Sequence, residues 1–569
     1  MQKAPLSNSW PLVGLWALLT LVALWARPLA PIDETRYASV AWEMWLRSDW
    51  LLPHLNGTPY PDKPPLLFWL VNLAWMLTGP SEWAARLVPA LVTLLDLWLL
   101  HRLERLLWPD GKYPPLSPWI FYGCVLVAGF STFLMFDLVL AASVLLALVG
   151  LAGAARQPGI GNWTLYAVGI GLGALTKGPV VLMYLLPVAL LAPWWTSPPP
   201  KGWWRWYGPL LLAVLAGAAL ALCWAIPAGR RGGTGYAEAI FLGQTTGRMV
   251  HAFQHARPWW WYLVLLPIIL LPWSLWPPLW RALAATGRKP DTSERFCLAW
   301  LLPGLIGFSA ISGKQVHYLI PLLPGFALLA SRALSRAAPQ IDRRGVPALV
   351  LAPWICLGLA LAIAPALPAL LGSLSPALAS DLPQWVAQLS PAGGLALVAL
   401  AFGCAPLLRS RLAPGPAPGL APRIAAQRLA ALTVAATAIL HAGPVHDIAS
   451  PAFDARPLAR TIAALRADGV TVAYPGKYHG DFQFAGRLVQ PLPQFWPGSE
   501  LAWAKAHPQA VLLLNYRTSL TEEQRGQAIK AVPYRSGETA LWRATTLLAH
   551  PEYAAGATAA IETFRGSPD

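Results

Sequence analysis

Acids and bases interleave between Arg27 and Lys63, where Asp33, Glu34, Arg36, Glu43, Arg47, Asp49, Asp62 and Lys63 crowd into one short stretch. Only 12% of the 569 residues are charged, so this concentration stands out. Charge beside hydrocarbon is costly and tends to be functional. A carboxylate such as Asp33 can take a proton from an acceptor hydroxyl, worth ~10²–10⁴ in rate. The structural alternative for Asp33-Glu34 is a first-turn acid pair favoured by the dipole of a helix over roughly 35–47. Lys63 sits in YPDKPP, where prolines on both sides restrict the backbone. A lysine held there suits a lipid phosphate; the alternative is a surface pair with Asp62 worth ~0–1 kcal/mol. Arg36 and Arg248 can add donors to phosphate oxygens, or can snorkel to lipid headgroups. Asp137, in FSTFLMFDLVLAA, is a lone acid between apolar segments and fits either a site residue or a structural pair. His251 and His255 are four residues apart, a spacing that can put two metal ligands on one helical face. RPWWWY follows at once and favours an aromatic interface belt, so no metal ligand is assigned.

The elements that must position these residues are membrane helices. The chain is 56% hydrophobic, and a soluble protein carries about 25% charged residues. Apolar runs near 10–26, 83–101, 116–134, 138–155, 164–176, 179–195, 207–226, 259–280, 296–311, 316–332, 346–371, 392–408 and 427–443 predict about thirteen spans. Segment 65–78 is too short to cross comfortably and is read as an interfacial helix. With 65–78 on the surface, Arg102, Arg105, Arg156, Arg332, Arg336 and Arg423 share one face, which the positive-inside rule makes cytoplasmic. The N-terminus is then cytoplasmic, and the opposite, external face collects loop 27–82, Asp137, Lys177, Arg248, His255, Lys314 and Tyr318. That convergence predicts an external active site. The net charge of +16 is explained by the short connections, and nucleic-acid binding is not expected. Cys124, Cys223, Cys297, Cys356 and Cys404 all fall in apolar segments and read as small buried hydrophobes. Residues 1–443 are read as the membrane domain, and 444–569 as a small external α/β domain. In that tail, strands are expected at 471–475 and 510–515, and helices near 456–467, 498–507 and 521–531. A transporter is the rival class, but charge gathers at one face and no inverted repeat is visible.

The ordered strings DETRYA, NGTPYPDKPPLLFWL, EWAARLVPAL, LTKGP, RPWWWYLVLLPIILLPW and FSAISGKQVHYLIPLLP resemble the bacterial aminoarabinose lipid A transferase family. These are GT-C glycosyltransferases, as are the protein O-mannosyltransferases. The resemblance covers about residues 10–335 strongly, and the rest in layout only. It implies a mainly α, polytopic GT-C fold in the bacterial inner membrane, with external juxtamembrane helices and a periplasmic C-terminal domain. It further implies inverting transfer of a sugar from a polyprenyl-phosphate donor, with 4-amino-4-deoxy-L-arabinose as one candidate sugar, to lipid A or another envelope acceptor. A protein O-glycosyltransferase is the alternative. In this resemblance Asp33 is the catalytic aspartate, Arg36, Lys63 and Arg248 hold the donor phosphate, and Tyr318 closes on it. Glu34, Asp62, Asp137, Lys177, His255 and Lys314 join them as substrate-binding candidates. Asp62 stands where the family usually has Glu. Gly243 and Gln244 stand where the family often has His-Glu, so a divalent metal loses its usual ligands here and no cofactor is assigned.

Overall fold

The computed structural model describes residues 10–111, 114–199, 202–241, 256–287, 289–336, 348–375, 382, 384–409, 420–535 and 537–557. Helix α1 (Trp10–Ala26) enters from one face and stops at Arg27-Pro28. Helix α2 (Asp33–Arg47) then carries the mixed charges, with Asp33 and Glu34 in its first turn. A hairpin of β1 (His54–Leu55) and β2 (Thr58–Pro59) follows, turning at Asn56-Gly57. Both turn residues have positive φ, 51° and 80°, as a two-residue hairpin turn requires. Helix α3 (Leu66–Thr78) has 13 residues, about 20 Å, too short for ~30 Å of hydrocarbon. Helix α4 (Glu82–Leu107) has 26 residues and runs about 39 Å away from this layer.

Among the described residues, eight helical stretches are long and apolar enough to cross a membrane, fewer than the thirteen runs counted from sequence. One reason is that apolar composition does not guarantee an unbroken helix. Run 116–134 splits into α5 (Ser117–Tyr122) and α6 (Val125–Phe130) at Gly123, where a Cβ would lie 2.8 Å from Ala430 and Trp273. Run 259–280 breaks near Leu271-Pro272 into Trp261–Ile269 and Pro277–Gly287. Helix α7 (Asp137–Arg156) packs against α8 (Ile160–Lys177) through small residues; a Cβ on Gly169 would sit 2.6 Å from the Ala147 nitrogen. By composition Ile160–Leu190 is one apolar stretch of 31 residues. It nevertheless reverses at Gly178, because the Tyr166 hydroxyl donates to the Leu185 carbonyl at 3.2 Å. In a straight helix, 19 residues would separate those groups by about 28 Å. Lys177 therefore lies at the tip of a hairpin between α8 and α9 (Val181–Leu190).

The tail holds a five-stranded mixed sheet in the order β4-β3-β5-β7-β6. Its strands are β3 (Val472–Pro475), β4 (Gln494–Phe495), β5 (Val511–Tyr516), β6 (Lys530–Tyr534) and β7 (Gly537–Arg543). Strand β3 runs parallel to β4 and β5, whereas β7 is antiparallel to β5 and β6. The helix expected over 521–531 ends at Gln527, and β6 begins three residues later. Its sequence KAVPY pairs residue by residue with β7, so tertiary pairing overrides the local helical signal.

The segment after β3 wedges onto α2 and α3. Ser39 Oγ donates to the Gly480 carbonyl at 2.7 Å, and Trp42 Nε1 to the Leu488 carbonyl at 3.0 Å. Gln483 Nε2 donates to Glu43 Oε1 at 2.6 Å, while Asn56 and Leu492 exchange two hydrogen bonds of 2.9 and 2.8 Å. Phe484 stacks on Trp75 with centroids 5.1 Å apart. The tail is thus bolted to the helix that carries Asp33.

Candidate active site

Asp33 and Glu34 are chain neighbours with opposite surroundings, because successive helical residues point about 100° apart. Asp33 keeps 48% of its side-chain exposure and accepts from the Arg36 guanidinium and, at 3.1 Å, from the Tyr37 hydroxyl. Burial and then the nearby Asp33 charge push the Tyr37 pKa well up, so its hydroxyl stays a donor. Burial works against the Arg36 charge, but Tyr60, Tyr37 and Asp33 outweigh it and raise the guanidinium pKa further. Arg36 is a permanent cation next to a half-exposed carboxylate.

Glu34 is fully buried and was expected to touch substrate; its bonds give it another place. Its Oε1 accepts from the Leu134 amide at 2.6 Å, its Oε2 from the Ala30 amide at 2.8 Å, and both pair with Arg27. Arg27 also donates to the Thr132 carbonyl at 2.7 Å and covers the Phe133 ring at 3.9 Å. Arg86 closes the clamp by donating to the Arg27 and Ala23 carbonyls at 2.6 Å each. Glu34 therefore ties α2 to the loop before α7, with no oxygen left for a ligand. Lys314 is likewise tied to the backbone around it. Only 3% exposed, it donates to the carbonyls of Arg257 (2.9 Å) and Ile311, and burial lowers its pKa. It fastens 256–257 to 311–314, where Ala256 bridges Gly313.

A second charged group forms where three helical hairpins meet. Asp137, 1% exposed at the start of α7, accepts from Lys177 Nζ at 2.6 Å. His317 Nε2 lies 3.9 Å from the other carboxylate oxygen, and Lys177 Nζ stands 4.6 Å from the centre of the Tyr318 ring. The Tyr184 hydroxyl holds the Tyr318 carbonyl at 2.8 Å. Lys63 is close enough to act electrostatically on both Asp137 and His317, and Asp33 on His317. The Asp33–Arg36 pair, Lys63 and the Asp137–Lys177–His317–Tyr318 group thus share one electrostatic neighbourhood, although they come from five separate stretches of chain. Asp62 and Lys63 lie in the partly exposed strand exit after β2. Arg248, His251, His255, Gly243 and Gln244 fall outside the described residues. No group of three or more His, Cys, Asp or Glu suited to a metal occurs among the described residues.

Sequence reasoning missed four features of this site. His317 was passed over inside the string that also carries Tyr318. Arg27 read only as the end of a span, whereas it is the partner of Glu34. Tyr37 read only as part of α2. The β1–β2 hairpin had a visible signal in Asn56-Gly57, and it delivers Lys63.

The arrangement offers a cationic cradle (Arg36, Lys63, Lys177) beside a half-exposed carboxylate (Asp33). Such a group can neutralise a phosphate and orient a nucleophile beside it. Residues 62–226 match the dolichyl-phosphate-mannose-protein mannosyltransferase family. Two curated relatives are undecaprenyl phosphate-alpha-4-amino-4-deoxy-L-arabinose arabinosyl transferases. That of Pseudomonas paraeruginosa is 33% identical over 58% of this chain and 61% of its own length. That of Pseudomonas aeruginosa is 34% identical over 56% of this chain and 58% of its own. The match thus spans about three fifths of the curated relatives. Among solved structures, ArnT from Cupriavidus metallidurans bound to undecaprenyl phosphate superposes with a TM-score of 0.66 at 19% identity, covering 94% of this chain and 98% of that one. The same protein in the apo state gives 0.67 at 20% identity, covering 95% and 99%. This chain is therefore similar in sequence to the bacterial GT-C aminoarabinose transferases and has the fold of ArnT.

Proposed function

We propose that the protein is an inverting glycosyltransferase that moves 4-amino-4-deoxy-L-arabinose from undecaprenyl phosphate to lipid A at the external face of the bacterial inner membrane. The observation that carries this reading is the meeting of Asp33, Arg36, Lys63, Lys177 and Tyr318 around one partly open, charged neighbourhood. The polyprenyl tail lies among the apolar helices and its phosphate meets Lys63, Arg36 and Lys177. An acceptor oxygen attacks the anomeric carbon as the bond from that carbon to the donor phosphate oxygen breaks. The electron pair leaves with the polyprenyl phosphate, and the three cations stabilise the charge that develops there. Asp137 holds Lys177 in place, and His317 stands 3.9 Å from its other oxygen. Asp33 orients the acceptor and takes its proton when the acceptor is a hydroxyl; toward a phosphate acceptor it only positions.

The experiment is transfer by purified protein from a synthetic undecaprenyl-phosphate sugar to lipid A, followed by mass spectrometry. Asp33→Asn is expected to lower the rate by about 10²-fold where the acceptor is a hydroxyl, at the low end of general-base effects, and by less where it is a phosphate. Full activity in that variant removes Asp33 from the chemistry. The match of residues 62–226 to protein mannosyltransferases supports a second reading, in which the acceptor is a periplasmic protein. Mass spectrometry of lipid A and of periplasmic proteins from a deletion strain separates the two acceptors and weighs the sugar.

A further inference from the structure

At the far end of α4, about 28 Å along the helix from Arg86 of the clamp, four arginines surround a cavity of about 340 Å³. Arg105 comes from the last turn of α4, Arg332 and Arg336 from the end of helix Leu323–Arg336, and Arg423 from the first turn of helix Leu420–Leu440. Trp108 forms a wall, with the Arg332 guanidinium 5.4 Å above its ring. The volume falls in the range of small-molecule sites, about 300–1,000 Å³.

The guanidinium groups are held from behind. Arg332 donates through Nε and Nη2 to Asp291 Oδ2 at 3.1 and 2.9 Å, and Arg336 through Nη1 to both Glu294 oxygens at 2.9 Å. Neither Asp291 nor Glu294 lines the cavity. Arg105 uses Nη1 on the Gly111 carbonyl at 3.2 Å. A guanidinium has five N–H donors in a fixed fork, so each of these three keeps donors beyond the recorded bonds. The side chains of Arg332 and Arg336 keep 30% and 41% exposure, so those donors can be reached. Two acids also line the cavity. Glu104 is already engaged by the Ser117 amide at 2.9 Å and the Ser331 hydroxyl at 2.6 Å, while Asp110 is exposed. Oriented guanidinium forks with spare donors match tetrahedral oxyanions, above all phosphate.

We propose that this cavity binds a phosphate group, carried either by an anionic phospholipid headgroup or by a soluble phosphate. Basic pockets between helices at the arginine-rich face of a membrane protein are suited to such headgroups. The site is separated from the transfer centre by the length of α4 and does not depend on the reading of that centre.

The test uses the full-length protein in detergent. Native mass spectrometry with equimolar phosphatidylglycerol and phosphatidylcholine measures lipid adducts, and calorimetry with inorganic phosphate measures the soluble arm. Phosphatidylglycerol adducts, or phosphate heats, are expected in the wild type. Binding should fall about fivefold in Arg105→Gln, on the order of one cation's contribution at an anionic headgroup, and return in Arg105→Lys. Arg105 is chosen because its loss spares both arginine–carboxylate pairs. Ser335→Glu, which puts an anion into the lining, is the second variant and is expected to abolish the preference. A lipid preference assigns the site to headgroups, and phosphate heat without it to a soluble ligand. Equal adducts of the two lipids with no phosphate heat, or wild-type binding in both variants, overturns the proposal.

Discussion

Replacing Lys177 with methionine separates the structural role of the Asp137–Lys177 pair from its chemical one. The pair is deep, with side-chain exposures of 12% for Lys177 and 2% for Asp137. Its single short contact of 2.6 Å uses one carboxylate oxygen, and the other has no hydrogen-bond partner among the described residues. In Lys177→Met, His317 at 3.9 Å and the more distant charge of Lys63 are left near that carboxylate, and neither donates a hydrogen bond to it. An uncompensated buried charge costs about 3–5 kcal/mol, so the single variant should be clearly less stable. In Lys177→Met with Asp137→Leu no charge is stranded, and apolar replacement of a buried pair is often neutral or stabilising by about 1–4 kcal/mol. The double variant should therefore recover the thermal stability of the wild type in detergent. Transfer should not recover. If Lys177 neutralises the leaving phosphate, its loss costs about 10²–10³ in rate, roughly 3–4 kcal/mol, in the single and double variants alike. The assays are thermal unfolding and sugar transfer on the same preparations. A double variant that regains both stability and activity refutes the placement of Lys177 at the phosphate, and the pair is then structural alone.

Other outcomes follow from the clamp and the docked tail. Glu34→Ala strands Arg27 in a buried site and should destabilise the protein by about 3–5 kcal/mol, read by thermal unfolding; a stability equal to wild type contradicts the clamp. Gly480 has φ +81°, and a Cβ there would meet Leu55 at 2.8 Å and Ser39 at 2.9 Å, so Gly480→Val should loosen 477–492 and raise its hydrogen exchange. Burial pushes the pKa of Asp481 above its ordinary 3.8, although Arg535, His479, Tyr534 and Thr35 pull it down. A raised acid binds its proton more tightly when folded, so its contribution is fully present below pH 3.8 and is lost as pH rises through the folded value. Asp481→Asn should therefore protect the docked segment from exchange at neutral pH and flatten that pH dependence, and an unchanged profile contradicts it.

The candidate site was legible as a set of residue types. Asp33, Arg36, Lys63, Asp137, Lys177 and Tyr318 stand out because charge is scarce in this chain, and counting basic loops put them on one face. Their roles were less legible. Glu34 looks like a twin of Asp33 in sequence, yet the helical turn aims it at Arg27 and Leu134, contacts separated by up to 100 residues. Lys314 carries a charge in the SGKQVHY loop, but its ammonium is taken by local carbonyls. His317 carries no signal beyond its type until Asp137 and Phe130 close around it.

Class, face and period were thus local matters. Apolar runs, proline-braced turns and the sign of short loops depend only on residues near one another, and they determined a polytopic helical protein with a charged first loop. The number of unbroken helices, the reversal at Gly178 and the strand at 530–534 depended on partners far along the chain. So did the division of acidic neighbours into a buried clamp and a half-exposed carboxylate. A buried charge takes its role from whichever group neutralises it, and for Glu34, Asp137 and Asp481 that group lies on another element that only the folded structure brings near.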